Sequence, residues 1–356
     1  MPTPPVLPPL LAYREASQRA AGVRAFGDPE QAWIAATTGA VVAADSCLGS
    51  IGFEGPDAAD FLQGQLSNDV KALAPGGGQW TTYNSPKGRM LATLFLTRDP
   101  SGDRYEALLA SDVVASTSKR LAMFVLRSKV TIHEPAEPRH LLGVGGPSAQ
   151  RAIESAFGAV PPAGHAAMHD GARVVHWPDG RFVVVVSEAA AGRVFDALAR
   201  SARPAGLPVW AWLGVRAGVP MITAATQDQF VAQAANWDVL GGLNFRKGCF
   251  TGQEIIARTQ HLGRLKERLF GFRTAVEPPL PGQRLYGAAF GDQASGTVVN
   301  SAPDPDGGSR FLAVAQIEAA NAGAMTIGAP GGPHAHRDAL PYDVPAPLAP
   351  RGRIGA

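Results

Sequence analysis

From Arg268 onward the apolar pattern of the chain breaks into short strand-like runs, near residues 269–273, 284–290, 297–300 and 311–316, separated by Pro/Gly turns. A succession of short strands and turn signals predicts a small β-barrel. The punctuation is general: 41 Gly and 30 Pro among 356 residues, with 46% hydrophobic and 17% charged residues, imply a globular, β-rich protein of many tight connections. At this length two or three domains are expected.

Upstream, strand and helix patterns alternate. Strands are expected near residues 40–44, 48–53, 80–83, 90–97 and 105–110, with a short helix over 58–66 behind Gly55-Pro56-Asp57 and an amphipathic helix from Ser111 to about residue 126. There follow strands 130–133 and 141–144, helix 148–157, strands 172–177 and 182–187, and helix 188–200, and this part fits a ferredoxin-like α+β unit. The expected fold class is α+β, two ferredoxin-like α+β parts followed by a C-terminal small β-barrel. Residues 1–30 read as a flexible N-terminal arm, 31–135 with part of 205–265 as the first domain, 136–204 as the second, 266–330 as the barrel and 331–356 as a disordered tail rich in Pro, Gly and Ala. His334 and His336 in that tail lack the further ligands a metal site needs.

Thirty-two Lys and Arg against 30 Asp and Glu leave a net charge of +2. That is not the basic excess of a nucleic-acid binder, so direct nucleic-acid contact is not expected. Prolines interrupt the N-terminal stretch where a signal peptide needs an apolar run, and no run approaches 18 apolar residues, so a cytoplasmic protein without membrane contact is expected. The two cysteines, Cys47 and Cys249, form neither a disulfide framework nor a C-x-x-C metal spacing, which suits a reducing compartment. Gly143-Val144-Gly145-Gly146 lacks the residues that would complete a phosphate loop.

One cysteine stands out by its neighbours. Residues 247–254 read K-G-C-F-T-G-Q-E, and Thr251 with Glu254 matches a capping box, so a helix is expected to start here. Cys249, two residues before that cap and beside Arg246 and Lys247, would be biased toward thiolate. A reactive or ligating thiol and a buried structural cysteine are both open on these grounds; Cys47, in an apolar stretch, reads as core packing.

The string K-G-C-F-T-G-Q-E-I-I-A-R, preceded by N-W-D-V-L-G-G-L-N-F, closely resembles the signature K-G-C-(F/Y)-x-G-Q-E of the YgfZ-type, GcvT-like folate-binding proteins of iron–sulfur cluster assembly. F-L-Q-G-Q-L-S-N-D-V (residues 61–70) and Y-N-S-P-K-G-R-M-L (residues 83–91) resemble the N-terminal blocks of the same family, and the likeness runs from about residue 48 to 316. The resemblance implies three domains around a central channel, related to the aminomethyltransferase of the glycine cleavage system, with residues 31–135 and part of 205–265 as the folate-binding domain. It implies tetrahydrofolate, or another reduced folate, as the ligand, and no permanently bound cluster or metal. The implied role is accessory, in the assembly or repair of 4Fe–4S enzymes that include tRNA-modifying ones, with assembly proteins or client enzymes as partners.

On this resemblance Cys249 would be the nucleophile, transient ligand or mixed-disulfide partner, Lys247 would lower its pKa, and Gln253 and Glu254 would fix the turn. Asn68, Asp69, Tyr83, Asn84, Lys87, Arg89, Arg216, Gln253, Glu254 and Arg258 are the candidate folate contacts, Arg258 within a basic cluster with Arg264, Lys266 and Arg268. For Asn68 and Asp69, turn formation is an equal reading. Two positions depart from the relatives. The Asp-Asp pair of the aminomethyltransferases is replaced by Ala92 and Thr93, which puts glycine-cleavage activity in doubt. Arg216, in Arg216-Ala217-Gly218, stands where relatives have Glu and would repel the donor edge of a pterin. The rival readings are a folate-dependent one-carbon transferase, against which Ala92 and Thr93 argue, and a ligand-free protein-interaction module, which Arg216 favours.

Overall fold

Strand-forming segments of this chain are buried on two sides at once, and that arranges the molecule around shared cores. The computed structural model describes residues 29–135, 139–261 and 265–345. Helix α1 (Pro29–Thr38) leads into β1 (Val41–Ala43). Next come β2 (Leu48–Glu54), α2 (Ala58–Gln65), β3 (Gly78–Asn84), β4 (Met90–Arg98), β5 (Arg104–Ala110), α3 (Val114–Ala122) and β6 (Thr131–His133), whose strands form an antiparallel sheet in the order β3-β4-β5-β2-β6.

β4 is buried at every position but its last, because both faces of its sheet are covered. Leu94 and Leu96 point to α2 and α3, meeting Phe61, Leu62, Leu66 and Leu121. Phe95, one residue out of phase, points the other way with Trp80 and Leu108 into a second core.

The second unit holds β7 (Arg139–Gly145), α4 (Ala149–Phe157), β8 (His165–His169), β9 (Ala172–His176), β10 (Phe182–Ser187), α5 (Glu188–Ala199) and β11 (Arg203–Ala205). Its sheet runs β11-β1-β7-β10-β9-β8. β10, Phe-Val-Val-Val-Val-Ser, alternates between the two faces: Val184 and Val186 pack under α4 and α5, and Val183 and Val185 face the core that holds Trp80 and Phe95. Residues 41–43, expected in the first domain, belong here instead, paired parallel to β11 and antiparallel to β7. An all-buried three-residue strand has no alternation by which sequence could assign its sheet.

Helix α6 (Leu207–Arg216) and α7 (Gln253–His261) flank a long segment without regular structure, and the barrel follows: β12 (Glu267–Thr274), β13 (Arg284–Gly287), β14 (Ala294–Pro303), β15 (Ser309–Gln316), α8 (Ile317–Ala322), β16 (Met325–Ile327) and β17 (His334–Asp338). It closes in the order β12-β15-β14-β13-β16-β17. The barrel therefore extends to residue 338, beyond the expected limit of 330. β17 pairs with both β12 and β16, so residues 334–338 are not a disordered tail, and Tyr342 donates from its hydroxyl to the Gly218 carbonyl at 2.7 Å. The expected arm over residues 1–28 lies outside the described residues, as does the end of the expected tail from residue 346.

The irregular segment between α6 and α7 is a belt that joins all three units. Asn300 of the barrel accepts from the Met221 amide at 2.8 Å and donates to the Met221 carbonyl at 3.0 Å. The Ile222 amide donates to Thr93 Oγ1 of the first sheet at 3.0 Å. An aromatic chain crosses the same interface: Trp80 lies 4.9 Å from Trp177 and 5.3 Å from Trp237, and Trp177 lies 6.0 Å from Trp210.

Candidate functional site

Two places in this fold bring chemistry-bearing residues together. The first is the loop of Cys249. Gly88, in the turn after β3, and Gly252, before α7, have φ of 69° and 80°, a region open to glycine. They meet backbone to backbone, since a β-carbon on Gly252 would lie 2.5 Å from Ser85 O and 2.8 Å from Gly88 Cα. Ser85 holds its own side of the turn through Asp228 Oδ1 at 2.7 Å. Helix α7 starts at Gln253, the Ile256 amide donating to Gly252 O at 3.3 Å, and no capping bond from the Thr251 hydroxyl or the exposed Glu254 carboxylate is formed among the described residues. The predicted helix start is present; the predicted capping box is not.

Lys247 is 7% exposed, and its Nζ donates to the carbonyls of Gln63 at 2.6 Å, Leu66, and Asn68 at 3.0 Å. Burial pushes its ammonium down to about 8, opposed by the Asp69 carboxylate. All three donors of the ammonium face backbone carbonyls, and its charge lies over the Phe250 ring at 5.0 Å. Lys247 is thus a staple between the end of α2 and the cysteine loop. Cys249, two residues on, is exposed and free.

Most of the other candidate contacts hold this same corner of the fold. Asn68 donates to Trp80 O and Gly241 O, each at 2.8 Å, and its Oδ1 accepts from the Asp69 amide. Asp69 accepts from Gln63 Nε2 at 3.0 Å. Asn84 is fully buried and bonded to Thr82. Tyr83 is buried against Arg120, and burial raises its phenol, the Arg120 guanidinium opposing. Gln253 is half-buried, with its amide donating to Phe250 O, and Lys87 and Arg258 are exposed. Arg89 bonds the Gln229 carbonyl. The expected basic cluster does not form as such: Arg268 is buried and paired in two-pronged fashion with Asp238 at 2.6 and 2.9 Å, and Arg264 lies outside the described residues.

The second place is a cavity of about 500 Å³ between the three units. Its wall includes Ser111 and Asp112 from the first unit, Trp177 and Arg181 from the second, Trp210 on α6, and Asn300 from the barrel. Arg181 is 6% exposed; its guanidinium lies 4.9 Å from the Trp177 ring centre and 5.0 Å from that of Trp210, and it pairs with Asp179 at 2.7 Å. None of the candidate folate contacts lines this cavity. Cys47 does, exposed and with φ of 51°, which corrects its reading as core packing. Asp45 Oδ1 accepts from the Cys47 amide at 2.8 Å, so an aspartate turn, and not a continuing strand, carries the residue outward.

Over 219 residues the chain is 35% identical to the tRNA-modifying protein YgfZ of Escherichia fergusonii and to that of Escherichia coli O7:K1, which covers 61% of this chain and 66% of each relative. Glycine cleavage system aminomethyltransferase T from Bartonella henselae superposes with a TM-score of 0.72 over 92% of this chain and 95% of that one, at 16% identity, a likeness of fold. The chain is thus similar to YgfZ proteins in sequence, and its fold is GcvT-like. No family model matches it. The aligned part falls just short of two thirds of the YgfZ proteins' length.

Against that relation the two departures have definite places. Ala92 and Thr93 are fully buried, and Thr93 Oγ1 accepts from the Ile222 amide, so a hydroxyl anchors the belt at this position. Arg216 does not face the cavity of Trp177 and Trp210. It is exposed at the end of α6, stacked on Trp212 at 5.3 Å, and lines a separate cavity with Gln150 and Arg310. The repulsion of a pterin expected from it has no geometric basis in the central cavity. Trp177, Arg181, Trp210 and Asp112 were not singled out by sequence reasoning. The one local signal was Trp177-Pro178-Asp179-Gly180-Arg181, a turn with an aromatic and a cation at its ends.

Proposed function

We propose that the protein binds a reduced folate in the cavity between its three units and offers Cys249 in iron–sulfur cluster assembly or repair, in support of tRNA modification. The observation that carries the ligand reading is the guanidinium of Arg181, held between two indoles on the wall of the cavity. A folate is flat and apolar on its faces, polar on its edges and anionic at its glutamate end. Apolar walls from Leu48, Leu207, Val215 and Val219 suit the faces, the Asp112 carboxylate suits the donor edge of a pterin, and about 500 Å³ lies within the range of small-molecule sites.

The cysteine reading rests on rigidity and access together. Lys247 and the glycine contact fix the backbone on either side of Cys249, and its thiol is exposed. A thiol so placed could take an iron ligand position, or attack the outer sulfur of a partner's persulfide to become the persulfide itself as the partner's thiol leaves, roles that need a reduced thiol and so a reducing compartment such as the cytoplasm. The name of the YgfZ relatives, tRNA-modifying protein, is consistent with client enzymes that act on tRNA.

Anaerobic calorimetric titration with tetrahydrofolate tests the ligand. Saturable binding that Arg181→Met weakens supports the cavity, and absence of binding sinks it. Cells that carry Cys249→Ser in place of the wild-type protein should lose activity of 4Fe–4S enzymes; full activity would remove the cysteine from the function.

A further inference from the structure

Helix α3 ends in a turn that leaves large apolar side chains uncovered. Met123, Phe124 and Leu126 are 61%, 41% and 87% exposed. The turn is nonetheless built: the amides of Phe124 and Ser128 donate to Leu121 O and Val125 O, and the Lys129 amide donates to Asp57 Oδ2 at 2.7 Å. Val125 tucks against the core of α2 and α3, which forces its neighbours outward, and Leu126 takes φ of 44°, a conformation leucine rarely adopts.

Charge surrounds this apolar trio with one sign. Between Asp112 and Glu134 there is no acidic residue, and Lys119, Arg120, Arg127 and Lys129 flank the exposed side chains. None of the four forms an ion pair among the described residues. Asp57, the carboxylate that reaches this turn from the start of α2, is engaged by the Lys129 amide. Arg120 sits against Tyr83, Tyr83 bridges to Leu66, and the Leu66 carbonyl receives Lys247 Nζ. The turn and the Cys249 loop therefore border the same α2–α3 side of the first sheet.

We propose that residues 119–129 form the docking surface for an acidic protein partner that carries an apolar pocket. The partner's identity as an assembly factor or client enzyme rests on the iron–sulfur reading above; the surface itself does not. Met and Phe anchors with arginines beside them match the composition of protein contact sites, and for cations that form no ion pair among the described residues the opposite charge is what would complement them. One turn of apolar side chains is too short for an interfacial membrane helix.

The test places a photo-cross-linking amino acid at position 126 of the full chain, in cells that depend on the protein. The expected product is a cross-link to a protein whose surface is acidic by its own sequence. Its yield should fall roughly tenfold when Lys119, Arg127 and Lys129 are changed to Glu, as like charges come to oppose one another. That variant should keep the wild-type Tm and tetrahydrofolate affinity, which separates lost docking from lost folding. A cross-link to RNA or lipid, to a second copy, or to residues 1–28 of the same chain overturns the proposal. So does a yield unmoved by the charge reversal, or no product at all in cells where the protein still functions. If the cross-link behaves as expected while Cys249→Ser leaves cluster enzymes fully active, the iron–sulfur reading fails and the docking surface stands.

Discussion

Gly252 approaches Gly88 so closely that a β-carbon on Gly252 would sit 2.8 Å from the Gly88 α-carbon. Two short strings far apart in the chain, P-K-G-R and F-T-G-Q-E, are thereby one structural object, and the position of Cys249 depends on both.

Gly252→Ala should therefore destabilise by about 2–3 kcal/mol, through the left-handed backbone and the clash with Ser85 O together. Gly248→Ala, with open space around its would-be β-carbon, is the control and should be near neutral. Urea unfolding of the two variants decides it; equal midpoints would mean that the turn relaxes freely.

Lys247→Met removes the donor of three carbonyls and should cost about 2–3 kcal/mol near pH 7. Its folded pKa, about 8, lies below the ordinary 10.5, so between these values the unfolded chain binds the extra proton. This group's contribution therefore improves as pH rises from about 8 toward 10.5, and the wild type should gain on Lys247→Met across that window. Paired unfolding titrations at pH 7 and pH 9.5 measure the gap, and a gap that narrows at the higher pH contradicts the assignment.

Arg181→Met loses both indole contacts and leaves Asp179 without its ion-pair partner. Tetrahydrofolate affinity should drop at least about tenfold. Gly214→Ala, whose β-carbon would stand 3.0 Å from the same guanidinium, should show a smaller loss of the same kind. Unchanged affinity in both would move the ligand elsewhere.

Arg268, buried, joins the belt to the barrel through the half-buried Asp238 and the carbonyl of buried Gln233. Arg268→Ala should cost about 3–5 kcal/mol because Asp238 is left without its partner. Arg268→Ala/Asp238→Ala should recover part of that loss, and a double variant no better than the single one would contradict the pairing.

What sequence alone made legible was whatever local pattern encodes. The unbroken apolar run of β10, the short strands of the barrel and the glycines of residues 247–254 each announce their structure within a few residues. The central cavity was not legible, since its wall takes Asp112, Trp177, Trp210 and Asn300 from four separate segments, none patterned as a site. Lys247 reads as a charge beside a cysteine, and only its depth shows that it serves backbone carbonyls. Arg216 aligned with a ligand position, but α6 turns it toward a different cavity. β17 went unseen because His-Ala-His-Arg-Asp has one apolar residue, and one buried Ala335 is all that this short closing strand gives the barrel core.

The same strand sets a timetable. β17 is the last piece of the barrel to emerge during synthesis, and it fills the gap between β12, made some sixty residues earlier, and β16. Until it arrives the edge of β12 has open hydrogen-bonding groups and Arg310 lacks its Asp338 partner. A nascent chain would thus hold its first two units complete while its third is still an open sheet, and a ribosome stalled before residue 334 would leave a product that is sticky, not merely shorter.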